Sequence, residues 1–113
     1  MASHYPFARP GLSRAMAGSC ISTGLTIGRH VHLGQTATVG HDALVGDFAT
    51  IYPGAHISGK VTLEDSVSIG TGANIIQGLT IGRHTFVGAG AVVTRSLPGG
   101  IVAVGVPARE RRR

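Results

Sequence analysis

Aliphatic residues recur at every sixth position over most of this chain. Thirteen successive positions hold only Ile, Leu or Val, with no insertion: Ile21, Ile27, Leu33, Val39, Val45, Ile51, Ile57, Leu63, Ile69, Ile75, Ile81, Val87 and Val93. The residue two before each of them is also small or aliphatic, as in Leu25, Ala37 and Val61. Residues two apart lie on the same side of an extended strand, so the pattern predicts short strands that bury both members of each pair.

Glycine follows the aliphatic residue in seven of the thirteen repeats, at positions 28, 34, 40, 46, 70, 82 and 88. Because glycine adopts positive φ without a steric penalty, we expect these glycines to form tight corners between strands. A six-residue unit cannot bury an apolar face alone, so three units should complete a triangular turn and successive turns should stack by parallel pairing. Residues 21–94 provide about four such turns.

The histidines occupy distinct phases of this repeat. The tetrapeptide IGRH occurs at 27–30 and at 81–84, so His30 and His84 are expected at one exposed corner, three turns apart. His32 and His56 directly precede an inward aliphatic residue and should point outward from flat faces. His41 lies two residues after an aliphatic position and is the only histidine followed by a carboxylate, that of Asp42.

Composition and charge narrow the class of protein. A content of 18 glycines with 4% aromatic residues argues against a helical bundle and for a β-rich fold. The single cysteine, Cys20, excludes an intrachain disulfide. The net charge of +5 is concentrated in Arg109 and 111–113. Without the last five residues, the chain has six Lys and Arg and four Asp and Glu, which is close to neutral. A nucleic-acid-binding surface is therefore not indicated.

The sequence also predicts the organisation of the chain. The first 20 residues contain no continuous apolar stretch and no signal-peptide pattern, and no apolar run is long enough to span a membrane. We therefore expect a cytoplasmic protein with no membrane partner. The predicted parts are an irregular N-terminal segment (1–20), a β-helix domain (21–95) and a C-terminal extension with a basic tail (96–113).

Several segments extend this pattern to a known family: VGHDALVGDF, PGAHISGKVTL, IGTGANIIQGLTIG, VGAGAVVT and VAVGVPAR. Over residues 27–106 the chain resembles the hexapeptide-repeat acyltransferases, and within them the sialic-acid O-acetyltransferase and UDP-4-amino-sugar N-acetyltransferase group. The resemblance implies an all-β fold, a single-stranded left-handed parallel β-helix shaped as a triangular prism. The handedness comes from the resemblance, since the period alone does not determine it.

The resemblance also implies a set of functional residues. Acetyl transfer from acetyl-CoA needs a base, which His41 would supply with Asp42 as its support. Gly59 lies one turn beyond His41, where its amide would stabilise the developing oxyanion. The implied cofactor contacts are made by Thr50, which replaces a second histidine of many family members, and by Thr71, Ala89 and Arg109, the last of these toward the phosphates. No metal is expected.

The implied partners follow from the same family. Acetyl-CoA would lie in a groove between neighbouring prisms of a homotrimer, and the acceptor would be the amine or hydroxyl of a sugar, a nucleotide sugar or a similar small molecule. Relatives of this branch usually carry an N-terminal nucleotide-sugar-binding domain. The 20 residues before the first repeat contain no βαβ pattern, so we expect a different acceptor, a partner chain that supplies this domain, or a truncated remnant.

Two other functions use the same prism. A β-solenoid can serve as a catalytically inert trimerisation or assembly module, for which a histidine–aspartate pair one turn from a glycine would have no purpose. Metal-dependent carbonic anhydrases of the γ class need three converging histidines. No second histidine lies one turn from His41 or His56, so the sequence does not support the carbonic anhydrase site. The histidine–aspartate pair one turn from Gly59 favours the acetyltransferase over the inert module.

Overall fold

The repeat folds as short β-strands wound around a triangular core. The computed structural model describes residues 24–111 and the backbone of two earlier strands, so most of the predicted N-terminal segment and the last two arginines lie outside the described residues. The strands of this described part are β1 (Arg14–Ala15), β2 (Cys20–Ile21), β3 (Thr26–Ile27), β4 (His32–Leu33), β5 (Thr38–Val39), β6 (Leu44–Val45), β7 (Thr50–Ile51), β8 (His56–Ile57), β9 (Thr62–Leu63), β10 (Ser68–Ile69), β11 (Asn74–Ile75), β12 (Thr80–Ile81), β13 (Phe86–Val87), β14 (Val92–Val93), β15 (Val102–Val104) and β16 (Arg109–Glu110).

These strands form the three walls of a prism. Sheet A contains β3, β6, β9 and β12, sheet C contains β2, β5, β8, β11 and β14, and sheet B contains the remaining seven strands. Pairing within the repeat is parallel, and residues 18 apart are in register, as in His32 with Thr50 and Thr50 with Ser68. The predicted fold class, an all-β parallel β-helix of about four triangular turns, is confirmed.

The core is a column of aliphatic side chains inside the prism. All the repeat positions from Ile27 to Val93 are at most 3% exposed, and so are most residues two before them. The inward position 85 carries a hydroxyl instead, and the Thr85 Oγ1 donates to the Pro98 carbonyl oxygen at 2.6 Å. This hydrogen bond is what allows a polar group to be fully buried at that position.

The glycines of the repeat have a different role from the predicted one. Positive φ occurs two residues later, for example at His30, Asp42 and Lys60, while glycines such as Gly40 and Gly70 lack it. A Cβ atom at Gly70 would lie 2.6 Å from the carbonyl oxygen of Val87, in the next layer. The prediction that these glycines adopt positive φ was wrong, because what they provide is close approach between the backbones of stacked layers.

This distinction predicts different costs for two neighbouring substitutions. Gly70→Ala should lower the free energy of unfolding by about 3 kcal/mol, because the added methyl meets backbone atoms that cannot move aside. Gly72 has positive φ, but a Cβ atom added there would have no other atom within 4 Å, so Gly72→Ala should cost only about 1–2 kcal/mol of left-handed strain. Chemical denaturation of both variants measures the difference, and equal costs would contradict this account of the glycines.

The C-terminal end departs from the six-residue repeat. β15 pairs with β13 and adds a layer to sheet B, with Val102 opposite Phe86. The chain then turns through a cis Val106–Pro107 peptide, and β16 pairs antiparallel with β15. An antiparallel strand on the last parallel strand ends the stack, because it covers the edge on which another turn would add.

Candidate functional site

His41 and Asp42 lie at the corner between sheets C and A, which we call the C–A corner (41–42, 59–60 and 77–78). Asp42 adopts a φ of 58°, a left-handed conformation that Asp tolerates better than most residues. Both side chains are exposed, at 56% and 58%. The two predicted residues therefore stand side by side on the outside of the prism, where a substrate can reach them.

Two glycines support this pair from the adjacent layers. The His41 ring lies against Gly59, where a Cβ atom would be 2.6 Å from Nε2. The Asp42 carboxylate lies against Gly24, where a Cβ atom would overlap Oδ1. Gly24 was not singled out from the sequence, although it lies one turn before Asp42. Any larger residue at either glycine would displace one member of the pair.

The pair defines which imidazole nitrogen is available for chemistry. His41 Nδ1 lies 3.4 Å from Asp42 Oδ2, at the long end of the hydrogen-bond range. When Nδ1 donates to this carboxylate, Nε2 keeps its lone pair and faces Gly59. The arrangement suits a base that accepts a proton at Nε2.

The backbone amide of Gly59 is available beside this base. Within residues 24–111 it donates to no acceptor, although Gly59 is buried. At the corner between sheets A and B, which we call the A–B corner (29–30, 47–48, 65–66 and 83–84), carboxylates accept from the equivalent amides. Asp47 Oδ1 accepts from Arg29 at 2.8 Å, and Glu64 Oε1 accepts from Arg83 at 3.1 Å. Carboxylates satisfy the amides of that corner, whereas the Gly59 amide at the C–A corner has no acceptor within residues 24–111.

The other histidines of the repeat also lie outside the core, as predicted, although His32 is half-buried on sheet B. His30 and His84 both lie exposed at the A–B corner, and the His30 ring stacks on Phe48 with centroids 5.1 Å apart. His56 is exposed on sheet C, where its Nδ1 lies 2.8 Å from the Thr38 hydroxyl. No group of three His, Cys, Asp or Glu side chains that could hold a metal ion occurs in the described part of the chain.

The predicted cofactor residues lie at another corner. Thr71 and Ala89 are exposed in consecutive layers of the B–C corner (35–36, 53–54, 71–72 and 89–90), and the positive-φ glycines Gly72 and Gly90 beside them face open space. The full width of sheet C separates this corner from His41. Thr50 lies on sheet B, the wall opposite the C–A corner. A single chain therefore does not bring these residues to His41.

Arg109 lies at the C-terminal end of the prism, in β16. It lines a cavity of about 240 Å³ together with Arg95, Ser96 and the apolar side chains of Leu97 and Ile101. Arg95 continues the C–A corner three layers beyond His41, roughly 14 Å along the axis. The sequence reasoning missed Arg95, although the same 18-residue step that leads from His41 to Gly59 also reaches it.

Comparisons with known proteins agree with this architecture. Residues 60–95 match the family described as bacterial transferase hexapeptide, six repeats. The resemblance to hexapeptide-repeat acyltransferases is thereby confirmed, and the proteins similar to this chain are serine and sugar acetyltransferases of the left-handed β-helix group.

Three of these proteins illustrate the relationship. The GDP-perosamine N-acetyltransferase of Escherichia coli O157:H7 is 47% identical over 99 residues, which cover 82% of this chain and 44% of that protein. The serine acetyltransferase of Synechococcus elongatus is 33% identical over 108 residues, with 87% and 44% covered. The acetyltransferase domain of PglB from Neisseria gonorrhoeae, solved in complex with acetyl coenzyme A, superposes with a TM-score of 0.88 at 38% identity, covering 95% of this chain and 53% of that one.

The chain spans about half the length of the curated relatives it matches. No helix among the described residues is long and apolar enough to cross a membrane.

Proposed function

We propose that this chain is an acetyl-CoA-dependent acetyltransferase in which His41 is the general base. The observation that carries the proposal is the His41 ring beside the Asp42 carboxylate and against Gly59, whose amide has no acceptor within residues 24–111. Acetyl-CoA supplies an activated acetyl thioester. His41 Nε2 accepts the proton of the attacking amine or hydroxyl as this group bonds to the acetyl carbon, and the Gly59 amide donates to the oxygen on which negative charge develops. The carbon–sulfur bond of the thioester then breaks, and the coenzyme A thiolate leaves and takes up the proton from His41, which gives the acetylated acceptor and free thiol.

The residues of the chain fit acetyl-CoA as the donor. Along the B–C corner, Thr71 and Ala89 lie beside open space, which suits backbone contacts to an extended pantetheine arm. At the end of the prism, Arg95 and Arg109 line one cavity, and arginine suits phosphate oxygens. These residues would hold the donor at points distributed along the prism axis.

The proposed active form is a homotrimer. Because sheet C separates His41 from Thr71 and Ala89 within one prism, a groove containing all three needs the B–C corner of one copy beside the C–A corner of the next. Sheet B offers an apolar surface for such an assembly: Tyr52 and Phe86 are 39% and 40% exposed, with ring centroids 6.4 Å apart. Thr50 lies on the same sheet, so a neighbouring copy would carry its hydroxyl toward the groove.

The proposed acceptor is the amine or hydroxyl of a sugar or nucleotide sugar. This rests on similarity to an enzyme named for GDP-perosamine and on an exposed His41 that leaves space beside it. A partner chain would supply further acceptor contacts. Assembly through sheet B is equally compatible with an inert module, so the experiment must separate the two.

The test is calorimetric titration of the purified chain with acetyl-CoA, combined with release of free thiol in the presence of GDP-perosamine, L-serine or a neutral galactoside. If the chain is a transferase, we expect a dissociation constant for acetyl-CoA below about 1 mM, the upper end of the usual range of KM values. We also expect thiol release that depends on the acceptor. Sedimentation of the same sample should give a trimer. A trimer that binds no acetyl-CoA at millimolar concentration would instead establish the assembly module.

A further inference from the structure

Lys60 is a cation next to the proposed base that has no partner among the described residues. It occupies the C–A corner one layer beyond Asp42, at a spacing of about 4.8 Å between backbones. Its own amide donates to the His41 carbonyl oxygen at 2.8 Å, which fixes the lysine backbone to that of the base. Its side chain is exposed, and no ion pair or side-chain hydrogen bond of Lys60 occurs within residues 24–111.

The absence of a Lys60–Asp42 ion pair in this part of the chain follows from the way the aspartate is held. The Asp42 carboxylate is directed to the layer on its other side, where Oδ1 contacts Gly24, while Oδ2 faces His41 Nδ1. On the far side of Lys60 the corner position is Gly78, which has open space around it. Lys60, one layer beyond Asp42 at the C–A corner, therefore has no counter-charge from the described residues.

The Lys60 backbone has the left-handed conformation that is usual at the second position of a corner in this prism. Its φ is 59°, close to the 58° of Asp42 one layer before it, and the equivalent position one layer beyond is Gly78. Within the described residues, the Lys60 side chain makes no hydrogen bond or ion pair that would stabilise the prism. Its charge is thus available for a ligand, and the nearest reacting group is the one that His41 would deprotonate.

We infer that Lys60 binds an oxyanion of the acceptor, a phosphate or a carboxylate, and so selects anionic over neutral acceptors. The inference rests on the proposed function, since it concerns the molecule that His41 deprotonates. An ammonium one layer from the base meets the acceptor rather than the donor phosphates, because the pantetheine arm separates those phosphates from the thioester. Arg95 and Arg109, which line one cavity at the C-terminal end of the prism, are the cations proposed above for those phosphates.

The test compares Lys60→Gln with a matched control, Arg29→Gln, which removes one positive charge from the closed A–B corner. Each protein is titrated with GDP-perosamine, with L-serine, with methyl β-galactoside and with acetyl-CoA. We expect wild type to bind one of the two probes that carry an oxyanion, the diphosphate of GDP-perosamine or the carboxylate of zwitterionic L-serine, with an affinity that falls as salt rises. Lys60→Gln should weaken that binding about tenfold or more, as loss of a hydrogen bond to a charged group does, while Arg29→Gln leaves it unchanged.

GDP-perosamine and L-serine together identify the source of the oxyanion, since GDP-perosamine carries a diphosphate and L-serine carries a carboxylate. Equal binding by wild type and Lys60→Gln, binding of the neutral galactoside alone, or no binding of either anion would overturn the inference. A selective loss of acetyl-CoA affinity would also overturn it by assigning Lys60 to the donor. Acetyl-CoA binding by wild type tests the proposed function separately, so that failure of the inference and failure of the proposed function give different results.

Discussion

Replacement of His41 by alanine is expected to slow acetyl transfer by about 10²–10⁴-fold, the usual contribution of a positioned general base. The affinity for acetyl-CoA should change by less than about twofold, because the base acts on the acceptor proton rather than on donor binding. Stability should also be unaffected, since the His41 side chain is 56% exposed and lies against Gly59 and Asp42 on the outside of the prism. Thiol release at saturating acceptor, with calorimetric titration of acetyl-CoA, measures both quantities.

His84→Ala is the matched control for this experiment. It removes another exposed corner imidazole, three layers from His30 at the A–B corner, and should retain wild-type turnover. If His41→Ala turned over at the rate of this control, His41 would not be the general base.

A second variant tests the geometry rather than the presence of the base. Gly59→Ala keeps His41 but places a methyl group 2.6 Å from the position that Nε2 occupies, so the ring must move. A displacement of about 1 Å costs up to 10²-fold in rate, and we expect a loss of that order with the fold intact. Normal turnover by Gly59→Ala would mean that the site tolerates a shifted base.

Ile69→Ala is expected to lower the free energy of unfolding by about 2–5 kcal/mol, the range for deleting a large aliphatic side chain from a core. Ile69 is fully buried in β10, in register with Ile51 on one side and Val87 on the other. Because each layer of a solenoid packs only on its neighbours, the cavity removes support from two interfaces at once.

Ile76→Ala provides the matched comparison, because it deletes the same atoms from a side chain that is 43% exposed on sheet C. It should cost no more than about 0.5 kcal/mol, as surface substitutions usually do. Chemical denaturation followed by circular dichroism, at one fixed protein concentration, compares the two variants. Similar losses from both would show that the inward column does not dominate stability.

Much of this molecule is determined by its six-residue period. Every strand from β3 to β14 coincides with a repeat, and the aliphatic position points inward because alternate residues of a strand face opposite sides. Since three repeats complete a turn, the same arithmetic places Gly59 beside His41, and the structure has the His41 ring against that glycine. A property that repeats at fixed spacing can be read from the sequence, because each layer reproduces the geometry of the previous one.

The tertiary structure alone determined the features that depend on side-chain direction. It showed that the repeat glycines allow close packing of layers, and that the Asp42 side chain is directed away from Lys60. It also showed that carboxylates accept from the amides of the A–B corner, whereas the Gly59 amide at the C–A corner has no acceptor within residues 24–111. It also separated Thr50 from His41 and joined Arg95 to Arg109 at the irregular end. The period fixes where each Cα lies, but contacts between layers depend on which way a side chain turns. The end of the helix depends on a segment that does not repeat.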